Sequence, residues 1–195
     1  FGMKIMKRKV IPYVAGAILL VYAAFLAYQS NRLCRYWGDA DMLLSRAVIL
    51  SKSSTAKALS YFYRGNAKQN IAEKKHLEGQ LSRNEGMVRN SFIYYGDAIR
   101  DYDSVLVHNP NHMLAYGNRG MIYGTLASYD KKYLKNAASD FEKAIAIDPE
   151  YADNYYNKAW VDLMKGDTAT ACQLWHKADE LGSVVAGQAI AKHCR

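Results

Sequence analysis

The sequence predicts an all-α protein, on three observations. One helical pattern is written three times along the chain. Residues 10–28 form an apolar run without a single charge. Strand signals are scarce, with three prolines and few Val/Thr runs in 195 residues. The expected architecture is an N-terminal transmembrane helix, then a solenoid of helical hairpins, the first of them extended, and a C-terminal capping helix.

The copies of the pattern begin at Ala98, Ala137 and Ala171. Each places a large aromatic four residues on, at Tyr102, Phe141 and Trp175, and a small or β-branched residue three further, at Val105, Ala144 and Ala178. Offsets of four and three keep these side chains on one helical face. Pro110 and Pro149 follow the first two copies and end the helix, because proline lacks the N–H a helix interior needs. A partner pattern precedes each copy: Tyr61 with Arg64-Gly65, Tyr116 with Arg119-Gly120, and Tyr155 with Lys158-Ala159. A small residue there lets two helices approach closely.

The copies are spaced by 39 and 34 residues. In spacing and register they resemble the second helices of tetratricopeptide repeats, whose period is about 34 residues. The resemblance covers residues 56–182, in repeats of about 56–110, 113–149 and 152–182. It implies a stack of helical hairpins that acts by binding other proteins.

The first repeat is too long. Gly65 and Ala98 lie 33 residues apart, where an unmodified repeat needs about 12. The extra stretch keeps a helical period through Ile71, Leu77, Leu81, Met87, Val88, Phe92 and Tyr95, so both helices are expected to continue and to reverse at Ser82–Gly86. A disordered loop is the alternative, given Lys68, Lys74, Lys75, Arg83 and Arg89. In the second repeat the turn at Ser128–Tyr133 carries five extra residues. Ahead of the repeats, residues 38–51 read as a lone helix within a connecting segment, 29–55. Residues 183–195 form the cap, with an amphipathic helix from Ser183 to His193 on Val184, Val185, Ala189 and Ile190.

The uncharged run, 10–28, spans about 30 Å as a helix, which matches the bilayer core. Tyr13 near one end, and Tyr28, Tyr36 and Trp37 near the other, are placed like interfacial aromatics. A cleaved signal peptide would have a shorter apolar run and a better cleavage site. Lys4, Lys7, Arg8 and Lys9 in the flank 1–9 outnumber Arg32 and Arg35, so the N-terminus is expected in the cytoplasm and the repeats across the membrane. In a bacterium that side is the periplasm; an organellar membrane is the alternative. Ala23 and Ala27 form a small-xxx-small pair for packing against another membrane helix.

Those four cations account for half of the formal charge of +8. The remainder is a mixed surface, and nucleic acid is not an expected partner. No phosphate loop, dinucleotide motif or His-Glu-x-x-His is present, and no enzyme activity, cofactor or small-molecule substrate is expected. His108 and His112 straddle the Asn109-Pro110 turn and read as surface residues rather than metal ligands. Asp101 and Asp103, two apart on a helix, face away from each other.

Cys172 and Cys194 admit two readings, a pair of buried thiols or, in an oxidising compartment, a disulfide that staples the cap. The chain-entropy model gives such a loop about 3 kcal/mol.

By the resemblance, first helices line a concave groove, here with Phe62, Asn66, Met121, Thr125, Tyr156, Trp160 and Met164. Chaperone-binding members hold a terminal carboxylate with lysine, asparagine and arginine. Asn66 and Asn118 match that arrangement, but Phe62 stands in place of a lysine. The expected function is that of a membrane-anchored scaffold, an accessory subunit of a cell-envelope complex for secretion, motility or outer-membrane biogenesis. The alternatives are a periplasmic chaperone-like factor beside a translocon and an accessory subunit of an organellar membrane complex.

Overall fold

The computed structural model describes residues 40–194. The expected membrane span at 10–28, Ala23 and Ala27 with it, lies outside the described residues. Among the described residues no helix is long and apolar enough to cross a membrane. The compact unit considered below begins at Leu44.

Among the described residues eight α-helices follow in order. They are α1 (Ala40–Leu50), α2 (Ser54–Leu81), α3 (Glu85–His108), α4 (Met113–Ala127), α5 (Leu134–Ile147), α6 (Ala152–Met164), α7 (Thr168–Glu180) and α8 (Ala186–His193). A 3-10 turn, Lys131–Tyr133, precedes α5. Helices α2/α3, α4/α5 and α6/α7 pair as antiparallel hairpins, each packed on the next, and α8 packs on α7. This is an all-helical tetratricopeptide-type solenoid.

The seam of each hairpin is the repeated pattern. A Cβ added to Gly65 would lie 2.9 Å from Cε1 of Tyr102, and one added to Gly120 would lie 3.1 Å from Phe141. Glycine is needed there because the aromatic of the second helix lies directly on the backbone of the first. In the third hairpin Ala159 and Trp175 share one buried cluster. Tyr102, Phe141 and Trp175 are all fully buried, and burying an aromatic contributes on the order of 1.5–3 kcal/mol.

Beside each of the first two seams sits an ion pair. Arg64 donates two hydrogen bonds to Asp101, at 2.9 and 2.5 Å. Arg119 donates two to Asp140, at 2.8 and 2.7 Å. The arginine always precedes the glycine and the aspartate the aromatic, so this pairing repeats with the pattern.

The long first hairpin is helical throughout. Ser53 caps α2 by accepting from the Ala56 N–H, and Asn84 caps α3 by accepting from the Met87 N–H. The reversal lies at residues 82–84, so Gly86 falls inside α3 rather than in the turn. Asn84 N–H reaches Gly79 C=O and Arg83 N–H reaches Gln80 C=O, the two bonds of a Schellman ending. Arg83 holds the left-handed position with φ 52°. Helices α6 and α7 end in the same way, but on Gly166 and Gly182.

Two expectations about the chain's end and the turns are corrected. Helix α8 begins at Ala186, not Ser183, and Val184 is 93% exposed. The Schellman ending of α7 ties Ser183 N–H to Ala178 C=O, and the chain turns through the next residues before a helix can restart. His108 and His112 lie half-buried at the surface rather than fully solvated. The His108 ring stacks on Tyr61, and His112 caps α4 and lies 4.6 Å from the Phe62 ring.

Candidate functional site

The first helices of the second and third hairpins, α4 and α6, face each other across two joined hollows. One, of about 300 Å³, is lined by Met121, Thr125, Trp160, Met164, Tyr95 and Glu73 among others. The second, of about 250 Å³, is lined by Asn118, Tyr151, Asp153, Asn154, Tyr156 and Val185 among others. Met121 and Asn157 line both, so the hollows form one groove.

Each predicted groove residue has a definite place. Met121, Thr125, Trp160 and Met164 line the first hollow, and Met121 and Tyr156 line the second. Met121 is 40% exposed and is the most open of the apolar lining on α4. Trp160 has two roles. It faces the groove, and its ring lies 5.1 Å from Trp175 and 5.3 Å from His193. Phe62 and Asn66 are corrected: neither lines the groove. Phe62 is buried against Tyr102 and His112. Asn66 Oδ1 accepts from the Tyr102 hydroxyl at 2.7 Å and from Asn118 Nδ2 at 3.0 Å, so its carbonyl is committed to holding α2 to α3 and α4.

Cys172 and Cys194 are joined as a disulfide, with Cα atoms 5.6 Å apart. The bridge ties the end of α8 to α7 and fixes His193 against Trp160 and Trp175. The far wall of the groove thereby rests on the cap. Among the described residues no group of three or more His, Cys, Asp or Glu is placed to hold a metal.

Of the asparagines that line the groove, Asn118 is singled out from the sequence, and Asn154 and Asn157 are not. Asn118, Asn154 and Asn157 all line the second hollow, and the signal for the last two is their spacing of three on one face of α6. Asn154 is 2% exposed, and its Nδ2 has no hydrogen-bond partner. Glu73 and Asp153 supply the charge. Burial pushes the Tyr95 hydroxyl up to about 12, with the Glu73 carboxylate adding to the shift. Burial raises Tyr151 too, with Asp153 adding.

A further hollow of about 440 Å³ lies near the reversal of the long hairpin, lined by Arg83, Glu85, Arg89, Phe92 and Tyr129 among others. Tyr129, from the lengthened turn after α4, reaches it from the second hairpin.

Stacked hairpins with a groove on their first helices define a repeat scaffold of tetratricopeptide type. The family model described as "Tetratricopeptide repeat" matches residues 140–173, from the middle of α5 into α7. The chain is 26% identical over 117 residues to Hsp70-Hsp90 organizing protein 2 of Arabidopsis thaliana, a match covering 58% of this chain and 20% of that protein. It is 30% identical over 94 residues to serine/threonine-protein phosphatase 5 of Rattus norvegicus, covering 46% of this chain and 18% of that one. The chain thus spans about a fifth of the length of these relatives. Among solved structures it resembles the first tetratricopeptide domain of Spaghetti (RPAP3) bound to the HSP90 peptide SRMEEVD. That likeness has a TM-score of 0.46 and 19% identity, over 65% of this chain and 92% of the other.

Proposed function

We propose that this chain is a non-catalytic adaptor that binds segments of other proteins along the α4/α6 groove, while residues 10–28 tether it to a bilayer. The continuity of the groove carries the reading. Met121, Trp160 and Met164 offer apolar surface beside the amides of Asn118 and Asn157, and such mixed hollows on rigid helices suit an extended peptide. The tether rests on the uncharged run and its basic flank. Confinement to a membrane raises the effective concentration of the repeats near a membrane-embedded partner. The setting is an accessory subunit of a membrane complex, with the repeats on the side opposite the N-terminus.

A mild-detergent pull-down with mass spectrometry tests this on three chains: full-length, one lacking residues 1–30, and Met121→Trp, which fills the groove. The adaptor reading expects a stoichiometric partner that is lost with Met121→Trp and weakened by the deletion. A partner retained by Met121→Trp and lost only by the deletion would place recognition in the membrane segment and sink the groove reading.

A further inference from the structure

Each hollow carries one acidic residue, and among the described residues no lysine or arginine lines either. Glu73 lines one and Asp153 the other; both are exposed, and neither makes an ion pair among the described residues. Glu73 accepts a hydrogen bond from Gln69 Nε2 at 2.8 Å, which orients the carboxylate without neutralising it. The nearby aspartates differ, since Asp101, Asp140 and Asp162 are all paired with cations. Met121 lines both hollows, and Trp160 lines the one that holds Glu73.

We infer that the groove selects an extended peptide with basic residues flanking an apolar centre. This rests on the adaptor reading above and adds the chemistry of its ligand. An acidic peptide would bring its carboxylates to Glu73 and Asp153 with no cation to receive them.

Selection of a randomised ten-residue phage-displayed library on the full-length chain in detergent tests the inference. The selected peptides should be net basic around an apolar centre. Neutralising Glu73→Gln with Asp153→Asn should weaken them roughly tenfold. Thermal unfolding confirms that each variant is folded. Acidic or charge-blind binders that Met121→Trp still excludes would overturn the charge inference and leave the groove standing. Binders indifferent to Met121→Trp, or no binders at all, would overturn both.

Discussion

The Tyr129 hydroxyl lies 3.2 Å from Nε2 of His76. These residues come from the two segments that exceed the length of a regular repeat: the turn after α4 and the distal half of α2. Tyr129 also meets the Phe92 ring at 5.0 Å, edge to face, while His76 Nδ1 lies 3.2 Å from Ser91 Oγ. The two insertions thus meet, and the long hairpin is latched to the second one. Tyr129→Ala should speed hydrogen exchange of amides in residues 70–92 by roughly tenfold, for a loss of about 1.4 kcal/mol, and leave α6 and α7 unchanged. Exchange read by mass spectrometry checks it.

Burial lowers the pKa of His76 and of His112 below the ordinary 6.5. The folded state therefore favours the neutral imidazoles, and the unfolded chain binds more protons just below 6.5. The contribution of these groups is complete above that value and is lost as pH falls from 6.5 through the lowered values. Urea unfolding at about pH 7.5 and about pH 5.5 should show lower stability at the acid value. Replacing His76→Gln with His112→Asn, which keeps the α4 cap acceptor, should flatten that dependence.

Gly65→Ala should destabilise by about 1–3 kcal/mol, because the new methyl meets a Tyr102 ring that cannot retreat. The Tyr102 hydroxyl is held by Asn66 and Gln69, each at 2.7 Å. Gly124→Ala is the contrasting case. Nothing lies within 4 Å of its Cβ, so the lower entropy of the unfolded chain should stabilise by about 0.5–1 kcal/mol. Urea denaturation of both variants gives the opposite signs.

Arg83→Gly should also stabilise, by about 1 kcal/mol, since the left-handed backbone costs arginine what it does not cost glycine. The melting temperature should rise by about 2–4 °C. Gly166 and Gly182 already use this device at the equivalent ends of α6 and α7.

The hairpins were legible because Gly65, Tyr102, Gly120 and Phe141 report one contact from both sides, at spacings that only a helix satisfies. The long hairpin was legible as two helices, since its apolar period never broke. The latch was not, because Tyr129 and His76 lie 53 residues apart and meet only once the hairpins have stacked. Tyr156, Trp160 and Met164 of α6 line the hollows, and Phe62 and Asn66 of α2 do not, for a related reason. Trp160 and Met164 keep an open side, whereas the α4 cap residue His112 closes over Phe62 and α4 supplies Asn118 to Asn66. Register assigns a face, but the neighbouring element decides whether that face stays open.

The most direct test of the groove uses the methionines as reporters. Seven occur in the chain, and Met121 and Met164 line the groove while Met87 and Met113 do not. Carbon-13 methyl NMR of the full-length chain, titrated with a library-selected basic peptide, should shift and broaden the Met121 and Met164 signals and leave Met87 and Met113 in place. Shifts confined to Met87, at the tip of the long hairpin, or unchanged Met121 and Met164 signals at saturating peptide, would contradict the groove as the binding face.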